Sequence, residues 1–128
     1  MIKAVLTVLA ALMVAVLLKL FVFDFIIADG NSMEPTIRSG TVLVVNKLRY
    51  GFRFPGQKNY LINWDIPRQG EIVVFYMPDG SIAVKRCSDI TENREIMVRG
   101  DNSFQSFDSR SYGPVPVDSI IGKVLGKK

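Results

Sequence analysis

Apolar residues follow two different patterns along this chain, and the change falls near residue 24. Ala4 through Leu18 is an uncharged run, apolar but for Thr7; Lys19 interrupts it, and Leu20-Phe21-Val22-Phe23 resumes before Asp24. As a helix, Ala4 to Phe23 would reach about 30 Å, enough to cross the hydrocarbon of a bilayer. Lys19 lies close enough to the far end to carry its ammonium to the interface. The competing reading is a cleavable leader with Lys3 as its charged start. No Ala-x-Ala site follows, since Ala28 has Ile26 where a small residue is wanted, so a retained anchor is favoured. Charge leaves the orientation open, because Lys3 and the N-terminus oppose Lys19 and Arg38.

Beyond Phe25 the pattern is of short β-type runs between turn signals. Thr41–Asn46, Glu71–Met77, Ser81–Arg86, Ile96–Arg99 and Ile120–Leu125 read as strands. Pro78-Asp79-Gly80 suits a tight hairpin between the second and third. Residues 50–70 hold glycine, proline and aromatics without periodicity and read as a long loop. Leu20–Ala28 is too apolar for a water-facing strand yet contains Asp24. It is either a strand at the bilayer surface continuing from the anchor, or a core strand with Asp24 at an edge. The expectation is a transmembrane anchor over 1–23 and a mostly β, antiparallel, barrel-like domain over 24–128.

Composition narrows the chemistry. The length of 128 residues leaves room for one domain beyond the anchor. The net charge of +4 is carried by scattered residues such as Arg38, Lys47, Arg49, Arg53 and Lys58. That is a solvated surface with some attraction to membrane lipid, and no basic run points to nucleic acid. One cysteine forbids an intrachain disulfide, and with no histidine a metal site or metal cofactor is not expected. Cys87 follows Lys85 and Arg86, which would favour a thiolate, but it has no histidine to pair with. A buried structural cysteine is the expectation.

The absence of histidine also governs the search for a nucleophile. Ser32 lies in Gly30-Asn31-Ser32-Met33-Glu34-Pro35-Thr36, and a serine hydroxyl needs a base. Lysine remains. Strand alternation puts Ala83, Lys85 and Cys87 on one face, and an apolar face would lower the lysine pKa until the neutral amine could take a proton. Taken singly, Lys85 also reads as a surface charge and Ser32 as a turn or capping serine. Pro35 and Gly30 shape the turn, and nearby backbone amides could form an oxyanion site.

Four stretches in order then resemble the boxes of the type I signal peptidases, the Ser-Lys peptidase family S26. They are Ser32-Met33-Glu34-Pro35-Thr36; Arg68-Gln69-Gly70-Glu71-Ile72-Val73-Val74-Phe75, with Glu71 replacing an aspartate; Val84-Lys85-Arg86; and Gly100-Asp101-Asn102 through Asp108-Ser109-Arg110. Ile120-Ile121-Gly122-Lys123-Val124 resembles the closing strand. The resemblance implies Ser32 as nucleophile and Lys85 as general base. It implies Ser106 orienting the lysine, Asp108 and Arg110 as a bracing ion pair, and the Ser32 amide with the Gly30 backbone as oxyanion donors. Ser106 as a turn cap, and Asp101 with Asn102 as turn formers, are the plainer readings. Ser103-Phe104-Gln105 departs from the Arg-Asp-Asn of the family, and Cys87-Ser88-Asp89-Ile90 from its usual turn. Only 14 residues separate Lys85 from Gly100, leaving no room for a large inserted domain.

What the resemblance implies is a membrane-bound endopeptidase that removes signal peptides from exported preproteins. Small residues would precede the cut, no cofactor or metal would be used, and the catalytic domain would sit on the exoplasmic or periplasmic side of the plasma (inner) membrane. A conjugation- or pilin-type processing peptidase with one dedicated substrate is a relative of this reading. A non-catalytic signal-peptide-binding scaffold is another alternative. Self-cleaving repressors share the Gly-x-Ser-Met turn and the lysine, but the apolar first 23 residues argue against them.

Overall fold

The computed structural model describes residues 1–127. Helix α1, Ile2–Phe21, takes up the N-terminal apolar run, and none of its side chains is buried. It is the one helix among the described residues long and apolar enough to cross a membrane. The Val22 amide donates to Leu18 O at 2.8 Å, and Lys47 Nζ donates to Lys19 O at 3.1 Å, so its last turn is capped from the domain. The Phe21 ring stacks on Phe52 with centroids 5.6 Å apart.

Strand β1, Phe23–Ile27, starts almost where α1 stops, and pairs antiparallel with β2, Val42–Asn46, in the register Phe25↔Val44. It forms a sheet edge. Phe23, Phe25 and Ile27 are exposed on one side, while Ile26 packs on the core from the other. Both features of the open reading are thus present: an edge position and an uncovered apolar face.

Strands β5 (Ile72–Tyr76) and β6 (Ile82–Ile90) form the expected hairpin, paired Val73↔Lys85 and Val74↔Val84. Strand β7 is Ile96–Arg99 and β8 is Ile120–Val124, and the six-stranded sheet runs β1-β2-β8-β5-β6-β7. Central β5 is covered on both faces. Val73 and Phe75 join one buried cluster with Tyr50, Cys87 and Val98; Ile72 and Val74 join another with Met33, Ile37, Leu43 and Val45. The mostly β, antiparallel class is as expected, but the outer strands β1 and β7 do not pair, so the sheet does not close into a barrel. Register shifts at Val74/Phe75 and at Cys87/Asp89 bend it locally instead.

The stretch expected as loop, 50–70, contains a small ribbon of β3 (Gly51–Phe52) and β4 (Ile62–Asn63). Gly51 permits it, because a Cβ there would lie 2.4 Å from Ile62 O. Tyr60 Oη holds the ribbon to β8 by donating to Ile120 O at 2.6 Å. Glu71 ties the start of β5 to its surroundings, accepting from the Arg68 amide at 2.7 Å and pairing with Lys123 Nζ at 3.2 Å.

Candidate active site

The Ser32 loop is anchored at its far end by two buried side chains, Met33 and Ile37, and by the Ile37 amide donating to Met33 O at 2.9 Å. Gly30 has φ near 80°, a conformation that favours glycine. Pro35 follows a cis peptide. This leaves Ser32 held but outward-facing, and its amide donates to no protein acceptor among the described residues.

Lys85 comes from the middle of β6, on the same face as Ala83 and Cys87, all three buried. Its Nζ donates to Ser32 Oγ at 2.8 Å, across 53 residues of sequence. At 6 % exposure the ammonium is poorly hydrated, and that burial lowers its pKa below the usual lysine range; the nearby Asp108 carboxylate offsets part of the effect. Cys87, beside it on the strand, is inert by the same logic: burial pushes its thiol up to about 11.

The loop 100–110 closes the site from behind. Asp108 is fully buried, where desolvation alone would raise its pKa. It accepts from Arg110 Nε at 2.9 Å, the Gly100 amide at 3.0 Å and Ser106 Oγ at 2.7 Å, and these hold the carboxyl well below the usual range. Arg110 Nη2 completes the ion pair with Asp108 at 2.8 Å. Ser106 Oγ also accepts from the Gly100 amide at 3.1 Å, and no hydrogen bond joins it to Lys85 among the described residues. The structure thus brings Ser32 and Lys85 together, and places Ser106, Asp108 and Arg110 in one cluster behind them.

Sequence reasoning assigned no role to a second set of contacts. Asp101 receives Arg86 Nε at 2.8 Å and Nη2 at 2.7 Å, and Thr36 Oγ1 at 2.5 Å. One carboxylate therefore joins the lysine strand to the serine loop. Asn102 adds two bonds, its amide to Ser32 O at 2.8 Å and its Nδ2 to Asn31 O at 3.1 Å. The available signal was alternation: Arg86, next to Lys85, must face away from it and needs a partner of its own.

A groove of about 540 Å³ runs past the dyad, lined by Ile27, Gly30, Ser32, Ile82 and Lys85. Gln105 and Phe107 line it too, so the departure at 103–105 borders the groove. Ser32 and Lys85 both open into this groove. Among the described residues no cluster of His, Cys, Asp and Glu could hold a metal ion. The arrangement offers a hydroxyl bonded to a buried amine, an unbonded amide and a trough beside a strand.

Comparison with known proteins agrees with this geometry. A family model described as "Signal peptidase, peptidase S26" matches residues 1–88 and 83–126. A signal peptidase I of Bacillus caldolyticus is 29% identical, over 89% of this chain and 84% of that protein. Mitochondrial inner membrane protease subunit 1 of Xenopus tropicalis is 31% identical, over 81% of this chain and 68% of that protein. The match to signal peptidase I of Haemophilus influenzae is 37% identical but spans 56% of this chain and only 20% of the longer protein. With both halves of the sheet matched, the chain belongs to the signal peptidase family, peptidase S26.

Proposed function

We propose that this chain is a membrane-bound serine endopeptidase that removes N-terminal signal peptides from exported preproteins, with Ser32 as nucleophile and Lys85 as general base. The observation that carries the reading is the 2.8 Å contact between Ser32 Oγ and a buried Lys85 Nζ. Neutral Lys85 takes the hydroxyl proton as Oγ bonds to the scissile carbonyl carbon. The Ser32 amide donates to the developing oxyanion, with Gly30 able to add only backbone. Lys85 then returns the proton to the leaving amine as the C–N bond breaks, and an ester to Ser32 remains. In the second half Lys85 takes a proton from water, hydroxide adds to the ester carbonyl, and the proton returns to Ser32 Oγ as it leaves.

Substrate would lie extended in the groove along β6, with small residues before the cut. α1 would anchor the chain in the plasma (inner) membrane as a single pass, with the domain on the exoplasmic side. Cleavage of a preprotein carrying an Ala-x-Ala site, by the full chain in detergent, tests the reading. Activity should disappear in both Ser32→Ala and Lys85→Ala while their melting curves remain cooperative. A folded parent inactive on several preproteins up to about pH 9 would overturn general signal peptide removal. Signal-peptide binding without cleavage would then indicate a scaffold, and cleavage of one preprotein alone a dedicated peptidase.

A further inference from the structure

Where α1 meets the sheet there is a second cavity, of about 120 Å³, which shares Ile26 and Ile82 with the groove but is not lined by Ser32 or Lys85. Its walls include Phe21, Ile26, Phe54 and Ile121, and its polar lining includes Lys47, Arg53 and Asp24. The two cations are short of anionic partners. Neither forms an ion pair with a carboxylate among the described residues. Lys47 Nζ has a backbone carbonyl, Lys19 O, at 3.1 Å. Arg53 Nη1 donates to Lys58 O at 2.7 Å and Nη2 to Ile120 O, and the guanidinium lies over the Tyr60 ring at 3.9 Å, but its Nε is buried with no hydrogen-bond partner. Asp24 turns its carboxylate back to the Phe25 amide at 2.8 Å. Two partly desolvated cations against one carboxylate leave the cavity short of negative charge.

We propose that this cavity binds the phosphodiester headgroup of an anionic phospholipid, with Lys47 and Arg53 on the phosphate and the apolar walls against the glycerol and first methylenes. A lipid fits better than a soluble phosphate because the cavity opens at the last turn of α1. With that helix in a bilayer, the site stands at headgroup depth. Phe54 at the rim is half exposed, and Phe52 packs edge-on to it with ring centroids 5.3 Å apart, giving an aromatic lip of the kind suited to an interface. This rests on α1 spanning the membrane, and not on the peptidase reading.

The test uses the full chain in nanodiscs of phosphatidylcholine alone or with phosphatidylglycerol, and involves no cleavage. Phosphatidylglycerol should raise the melting temperature, and a single molecule of it should stay with the chain through detergent exchange and native mass spectrometry. Lys47→Gln should lose both effects, Lys47→Arg should keep them, and Arg94→Gln, on a distant turn, should behave as the parent. Phe54→Glu, at an exposed position that cannot unfold the core, should also lose lipid retention. Lys47→Gln and Phe54→Glu retaining the parent's response would overturn the site in favour of general attraction to a basic surface. No response in the parent would overturn it directly. Glycerol phosphate reproducing the shift without lipid would replace the lipid with a soluble phosphate.

Discussion

Gly100→Ala is the sharpest test of how the site is held together. Gly100 needs no left-handed backbone, so alanine is conformationally acceptable there and any effect comes from the methyl group. That methyl would lie 2.1 Å from Ser106 Oγ, 2.5 Å from Ser32 O and 2.6 Å from Ser106 Cβ. All are far inside van der Waals contact, and one partner is backbone, so the 100–110 loop must withdraw from the serine loop. Withdrawal removes the Asn102 bonds to Ser32 O and Asn31 O, each worth about 1 kcal/mol net, and adds about 1–3 kcal/mol of overpacking. The sum is about 3–5 kcal/mol, divided between lower stability and a displaced Ser32. A displacement of about 1 Å at a reacting atom costs about 100-fold in rate. Melting temperature and kcat/KM on a preprotein should therefore fall together. If both match the parent within error, the packing of the two loops does not position the nucleophile, and the reasoning fails.

Lys85→Met should be inactive yet more stable than the parent at neutral pH. A lysine whose folded pKa lies below its unfolded one opposes folding while charged, and that penalty fades as pH rises from the folded value to the unfolded one. The stability gain of the variant should shrink over that window, and a gain constant with pH would refute it. Activity of the parent should rise with pH along a limb whose midpoint lies below the usual lysine value, as pH–rate profiles would show. Asp101→Asn weakens a paired, charge-assisted contact to Arg86 and should cost about 1–3 kcal/mol in denaturant titrations, with Thr36→Val costing about 1 kcal/mol. Cys87, 1 % exposed with its thiol pushed up to about 11, should react with a thiol reagent at pH 8 only as fast as the chain unfolds.

What could be read from residues was what repeats locally. The β5–β6 hairpin followed from two apolar runs and a Pro-Asp-Gly link, and alternation placed Lys85 with Ala83 and Cys87 on a buried face. The apolar first stretch became α1 as far as Phe21, while Phe23, expected in the same helix, begins β1. Features set by distant contacts were not legible. The β3–β4 ribbon has two residues a side, too few to show a period, and depends on Gly51 fitting under Ile62 O. The clasp of Thr36 and Arg86 on Asp101 joins three segments that only the fold makes neighbours. The orientation of Ser106 toward Asp108 follows from the loop's own hydrogen bonds, which no spacing rule gives. Strand order also lies beyond pattern: nothing in 120–124 says that this strand goes between β2 and β5.

That strand order bears on when the site is assembled during synthesis. Ser32 is carried on the β1–β2 side of the sheet and Lys85 on the β5–β6 side, and β8 is the strand between them. It meets β2 at Val45↔Val124 and β5 at Val74↔Gly122, with Gly122 bare enough to admit the Asn46 carbonyl. A nascent chain that has reached Arg110 already holds every residue of the site and the Asp101 clasp between its two halves, but lacks the strand that hydrogen-bonds one half of the sheet to the other. The Ser32–Lys85 contact should therefore become firm only once Ile120–Val124 has docked between β2 and β5.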